Sequence, residues 1–189
     1  MFFSCFCSNK KYIKENVITH CKLVKVDRLL KLLNPISNEI IMQKEFPDTI
    51  ITNCVCNCYG IKLLIISTKN VVYILDESNF KEIYTFTLEE EILSSCSEKN
   101  CNRFYIGCKS GRIVVYTAKF LNRFICNEIY NIYCFKPVYN IAIHVERNGE
   151  NVKKQIYAGF SKWEDKPLQQ VNIYNNDKLD KNFLCLSKD

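Results

Sequence analysis

Three of this chain's twelve cysteines alternate in the stretch Asn53-Cys54-Val55-Cys56-Asn57-Cys58. Clustered thiols could hold zinc, form disulfides or act as nucleophiles. Structural zinc favours Cys pairs separated by about two to four residues on turns, because the ligands must converge on a tetrahedron. Cysteines at every second position instead spread along one face of an extended strand. Cys96 and Cys101 come nearer to a zinc pair, with no clear second pair to complete the site. A nucleophilic thiol needs a neighbouring base or helix start to lower its pKa, and no such context flanks these cysteines. A disulfide framework suits a short, loop-rich secreted chain. Here Gly and Pro number only 5 and 4 in 189 residues. Many of the cysteines also sit inside apolar runs, where a reduced thiol acts as a small hydrophobe.

Other chemistry-bearing residues are equally sparse. His20 and His144 are the only histidines. His144 falls in the apolar "IAIHVE", which reads as a strand residue more readily than as a base. Glu89-Glu90-Glu91 is a run of carboxylates, whereas a metal site needs carboxylates converging from several loops. No nucleophile elbow, His-Glu-x-x-His helix or phosphate-binding glycine loop is present. The expectation is therefore a chain with no catalytic residues, no metal site and no cofactor.

The elements that would position any site are strands. Hydrophobic residues make up 48% of the chain and charged residues 24%, which is globular composition and not that of a disordered segment. Ile, Val, Tyr and Phe are abundant while Ala and Gly are scarce, a bias toward β-structure. No apolar run is long enough to span a membrane as a helix. The "MFFSCFC" start lacks the order of a signal peptide, so a cytoplasmic location is expected. Residues 1–31 carry much of the basic excess of a chain whose net charge is +6. That end could meet a lipid headgroup, and Cys5 and Cys7 beside Lys10-Lys11 have the makings of an S-acylated, basic membrane anchor. This is the alternative to the strand reading of the same residues. Nucleic acid is not expected as a partner: the charge is modest, and no stacking or groove-reading motif appears.

An internal repeat organises the chain. Residues 62–86, "KLLIISTKNVVYILDESNFKEIYTF", read strand, tight turn, strand, turn, strand. Residues 103–129, "RFYIGCKSGRIVVYTAKFLNRFICNEI", follow the same order about 40 residues later. Residues 154–187 repeat it with a polar insertion, "KWEDKPLQQ", and residues 22–46 give a poorer copy. Within that copy, "VDRLLKLL" also has the spacing of a short helix. A further strand precedes each unit, at residues 2–9, 50–57, 92–100 and 138–145. The cysteines of Asn53–Cys58 thus belong to a leading strand. The middle strands are nearly continuous apolar runs, so both of their faces need covering. Neighbouring copies of the same sheet, stacked side by side, would cover them.

On these residues, best on "FYIGCKSGRIVVYTAK", the chain resembles the WD-repeat β-propellers. It lacks their closing Trp-Asp dipeptide, having Ile74-Leu75, Val115-Tyr116 and Ile173-Tyr174 in its place, and it lacks their Gly-His pair. The resemblance implies an all-β propeller or partial propeller of about four four-stranded antiparallel blades. They would span roughly 2–46, 50–86, 92–129 and 138–187 of one domain, 1–189. It also implies a non-enzymatic scaffold that presents loops to a protein partner or completes a larger propeller. An open set of four blades would leave two flat faces to be covered by self-association or a larger complex. In propellers the loop after each fourth strand and the turn between the second and third strands share one face. Those segments contain Lys69, Glu90, Lys109, Arg112 and Lys162, together with Trp163, the only tryptophan. These six are the expected partner-binding residues, with Trp163 as an aromatic anchor. The runner-up function is a membrane-associated propeller held by Cys5, Cys7 and the basic N-terminal residues.

Overall fold

In a computed structural model, the structure describes residues 10–14, 17–98, 101–148, 151–162, 168–175 and 178–179. Among them the only regular structure is β-strand, arranged as a propeller-type stack of four antiparallel sheets, each four strands in simple sequential order. The first sheet contains β1 (Lys10–Lys14), β2 (Val17–Val26), β3 (Leu29–Leu33) and β4 (Ile40–Glu45). The second contains β5 (Thr52–Cys58), β6 (Ile61–Ser67), β7 (Val71–Asp76) and β8 (Glu82–Thr87). The third contains β9 (Ile92–Ser97), β10 (Arg103–Cys108), β11 (Arg112–Phe120) and β12 (Phe124–Tyr133). The fourth contains β13 (Asn140–Asn148), β14 (Asn151–Gly159), β15 (Gln169–Asn175) and β16 (Lys178–Leu179).

Two edges differ from expectation. The first sheet begins with the hairpin that pairs Lys14 with Val17, and the fourth ends with the hairpin that pairs Asn175 with Lys178. A short loop closes at less entropic cost than a long one, so the nearest segment takes the edge. The expected strands at 2–9 and 182–187 lie outside the described residues. The segment with helical spacing is strand, turn, strand. Asp27 takes φ 51, which interrupts any helix, while Leu30 and Leu32 alternate into the buried face at 0% and 3% exposure.

Alternation in the middle strands buries both sides. Leu63 and Ile65 face the third sheet, whereas Leu64 and Ile66 face the first, and all four are fully buried. Three apolar clusters result, one at each junction between successive sheets. Among the described residues no buried cluster joins the fourth sheet to the first. Register also shifts at Gly107/Cys108 and Ile156/Tyr157, but bulges recur at Leu32/Leu33, Ile74/Leu75 and Val115/Tyr116, between the third and fourth strands of the first three sheets. They give the outer strand of three successive sheets the same added twist.

The third and fourth sheets also meet through a buried ion pair. Lys154 Nζ of β14 lies 3.1 Å from Glu98 Oε1, just beyond β9, and both side chains are almost fully covered. Tyr105 donates its hydroxyl to Glu98 Oε2 at 3.4 Å. Nothing in the repeat pattern announces this pairing, because Lys154 occupies a position that alternation alone would fill with an apolar residue.

Candidate protein-interaction face

The turns between second and third strands and the loops between sheets form one continuous surface. At its first end, Ile50 and Phe46 donate backbone N–H groups to Asp27 and Arg28 at 2.8 and 2.9 Å. Further along, Leu88 donates to Asn70 at 2.8 Å, Ile92 to Lys69 at 2.7 Å and Lys109 to Glu91 at 2.9 Å. Cys134 donates to Gly111 at 2.8 Å and Val138 to Cys108 at 3.1 Å. The loop at 88–91 is therefore tied to the turns on both sides of it, and the loops at 46–50 and 134–138 to the turn of the sheet before them. Backbone bonding of this kind makes the loops parts of a rigid platform.

Gly111 is where the platform is tightest. Its φ is +92, and a Cβ there would lie 2.1 Å from the Cys134 carbonyl oxygen. Only glycine lets the loop at 134–139 cross so close to the turn at 109–111. From that clamped loop Phe135 projects with 83% of its surface exposed, and Tyr133 beside it is 73% exposed.

Arg112 pairs across the strands with Tyr133, and further charged side chains lie on the turns and loops of the same surface. Arg112 Nε lies 2.5 Å from Glu90 Oε1, and Ser110 Oγ donates to the other oxygen of the same carboxylate. Burial works against the Arg112 charge, yet the hydrogen bond and charge of Glu90 hold its pKa above the usual value. Lys109 Nζ lies 2.8 Å from Glu91 Oε2. The Glu91 carboxyl is held below its ordinary range, first by the Lys109 hydrogen bond and further by the charges of Lys109, Lys69 and Lys162. Lys162 Nζ stands 5.6 Å from the centroid of the Tyr139 ring, a cation–π contact.

Five of the six expected partner-binding residues thus occur on one surface: Lys69, Glu90, Lys109, Arg112 and Lys162. Trp163, Cys5 and Cys7 lie outside the described residues. Phe135 and Tyr133 were not anticipated from the sequence. The signal was available in "YCFKP", where an aromatic directly precedes Lys-Pro in an inter-sheet loop and has no strand alternation to bury it. His144 lies on an exposed part of β13, 3.4 Å from Glu146. The alternating cysteines Cys54, Cys56 and Cys58 line one face of β5 and are buried in the second–third junction at 2%, 1% and 0% exposure. Burial pushes the Cys56 thiol well above its ordinary pKa and those of Cys108 and Cys126 to about 12. Such thiols are protonated at neutral pH and poor nucleophiles. Among the described residues no group of three His, Cys, Asp or Glu is placed to hold a metal ion.

No family model and no curated protein sequence matches the chain. In three dimensions it is similar to β-propeller structures. One is Sqt1 of Saccharomyces cerevisiae, with TM-score 0.58 and 13% identity, covering 75% of this chain and 38% of that one. Another is BBS1N, solved in complex with ARL6DN, with TM-score 0.57 and 17% identity over 88% of this chain and 49% of that one. A third is a chain of a mitotic checkpoint complex, with TM-score 0.56 and 8% identity over 81% of this chain and 44% of that one. The chain thus spans about half or less of the length of these structures. At these identities the likeness concerns the fold.

Proposed function

We propose that this chain is a non-catalytic, WD-repeat-like scaffold whose surface of joined loops binds a protein partner. The observation that carries this reading is Phe135, a large apolar side chain held out in water by a loop that Gly111 and Cys134 clamp in place. An exposed aromatic on a rigid platform gains buried area on binding and loses little conformational entropy. The Glu90–Arg112 and Glu91–Lys109 pairs beside it supply a polar rim. Two of the fold neighbours, BBS1N with ARL6DN and the mitotic checkpoint complex, were solved in assemblies, which fits the same kind of work.

Phe135→Ser with Arg112→Ala tests it. The variant should keep the β-sheet circular dichroism spectrum and lose the proteins that the wild-type chain crosslinks in its native extract. Tyr59→Ser with Leu121→Ser, on the exposed turns after β5 and β11, should retain them. Retention by the first variant and loss by the second would place binding on the other face and refute the proposal.

A further inference from the structure

Four non-glycine residues among those described have a positive φ: Asp27, Asn38, Tyr59 and Phe80. Asp27 and Asn38 are of the types that tolerate the left-handed region. Phe80 is buried at 4% exposure, so packing offsets its strain. Tyr59 has neither feature. Its φ is 52, Gly60 follows at φ 86, and 75% of the tyrosine surface is exposed. The two residues form the turn between β5 and β6, closed by the pairing of Cys58 with Ile61. A hairpin turn with positive φ at both central residues is best made by Asn-Gly. The chain thus sets a bulky ring where turn chemistry asks for asparagine, and leaves that ring in water. Strain kept at an exposed tip points to function.

A second apolar tip adjoins the first. Leu121, in the turn between β11 and β12, is 73% exposed. Cys58 Sγ donates to the Ala118 carbonyl at 3.2 Å, which joins the strand before the Tyr59 turn to the strand before the Leu121 turn. The described charged residues at this end of the second and third sheets are Lys62, Lys81, Arg103, Lys119 and Arg123 against Asp76, Glu77, Glu82 and Glu98. Three of the four carboxylates already have cations. Glu98 is buried against Lys154, Glu77 is buried 3.9 Å from Lys62, and Glu82 lies 3.8 Å from Lys44. Asp76 accepts the Ser78 backbone N–H at 2.7 Å. Lys81, Lys119 and Arg123 are exposed, the last two flanking Leu121 on either side.

We propose that this end of the second and third sheets docks on an anionic lipid surface. Tyr59 and Leu121 enter the headgroup region, while Lys119 and Arg123 meet the phosphates and carboxylates of the lipids. The site lies at the opposite end of the strands from the loop surface proposed above and does not depend on it. A bilayer suits these tips better than a protein does. They stand singly on separate turns, divided by Gly60, Asn122 and the cations, whereas a protein interface has a contiguous apolar core. A fluid interface takes separate prongs, and tyrosine suits it because its ring has an apolar body and one polar end. Two side chains alone anchor weakly, so attraction to anionic lipid is needed as well.

The test is cosedimentation of the purified chain with vesicles of phosphatidylcholine alone and of phosphatidylcholine mixed with phosphatidylserine. Wild type should bind the mixed vesicles and hardly bind the neutral ones, with binding falling as salt rises. Lys119→Gln/Arg123→Gln should weaken it by about tenfold. Tyr59→Asn should move two readouts in opposite directions, raising the urea midpoint by relieving the turn and weakening vesicle binding severalfold. Tyr59→Asn/Leu121→Ser should abolish binding and keep the β-sheet circular dichroism spectrum. Phe135→Ser/Arg112→Ala should bind vesicles as wild type does, which separates this site from the loop surface. Equal binding to both kinds of vesicle, or undiminished binding by the tip or the cation variant, overturns the proposal. So does binding that is lost instead with Lys10→Gln/Lys11→Gln, which would place the contact on the basic N-terminal residues. If no vesicle binds while the tip variant loses crosslinked proteins, the tips serve a protein and the lipid proposal fails.

Discussion

The junction between the second and third sheets and the junction between the third and fourth solve one packing problem in opposite ways. The first is filled by Cys54, Cys56, Cys58, Leu63, Ile65, Phe104 and Ile106, with Phe86, Tyr116 and Phe104 in ring contact toward the rim. Its polar ties are few: Ser97 Oγ donates to the Val55 carbonyl at 2.5 Å, Thr52 and Ser95 share a hydroxyl contact at 2.9 Å, and the Cys58 thiol donates to the Ala118 carbonyl at 3.2 Å. The second junction has a smaller apolar cluster around Tyr105, Val115, Ile156 and Ala158, and it buries Lys154 against Glu98. A dry junction gains from area alone and tolerates any apolar filling of the right volume. A buried ion pair adds little net stability but penalises every arrangement that separates the charges. The difference teaches that the second and third sheets adhere by area, while the third and fourth combine a smaller apolar area with an ion pair that penalises other alignments.

The largest effect should come from breaking that alignment. Lys154→Ala leaves the Glu98 carboxylate buried without its cation and should cost about 3–5 kcal/mol in urea unfolding. Replacing the pair with Lys154→Met/Glu98→Leu converts the junction to the dry kind and should recover most of that loss. If the single and double variants are equally destabilised, the ion pair is not what aligns the fourth sheet.

A smaller effect probes the dry junction. Cys56→Ser introduces a hydroxyl where the thiol is 1% exposed among apolar neighbours, and should cost about 1–3 kcal/mol. Cys56→Ala should cost less, although serine is nearer to cysteine in size. The reverse order, read from the same unfolding curves, would mean that the junction holds water.

Smallest near neutral pH is the response to alkali. Burial raises the Cys108 and Cys126 thiols in this junction from 9.0 to about 12. The folded chain therefore keeps protons that the unfolded chain releases above pH about 9. Their contribution is complete below that pH and is lost as pH climbs toward about 12, at up to about 1.4 kcal/mol per pH unit for each thiol. Chemical denaturation between pH 8 and pH 10.5 should therefore show a shallower decline for Cys108→Ala/Cys126→Ala than for wild type. Parallel declines would show that these thiols titrate alike in the folded and unfolded chains.

Legibility in the sequence followed the range of the forces involved. "LLII" and "VVYIL" read as doubly buried strands because alternation is a local geometric fact, and Leu63 to Ile66 do divide between two junctions. The loops at 68–70, 88–91 and 109–111 could be assigned to one face because four antiparallel strands in sequence admit no other arrangement. Phe135 was less accessible, since its exposure depends on how the loop at 134–139 crosses Gly111. Lys154 and Glu98 were not accessible at all. They stand 56 residues apart on different sheets, and each alone resembles an ordinary surface charge.

By itself, then, the order of residues determined the strands, their grouping into four similar sheets and the faces that must be buried, because side-chain alternation and turn chemistry act over a few residues. Only the tertiary structure decided which charges met. Pairing across a junction depends on the offset between two sheets, and that offset is settled by packing over the whole buried surface.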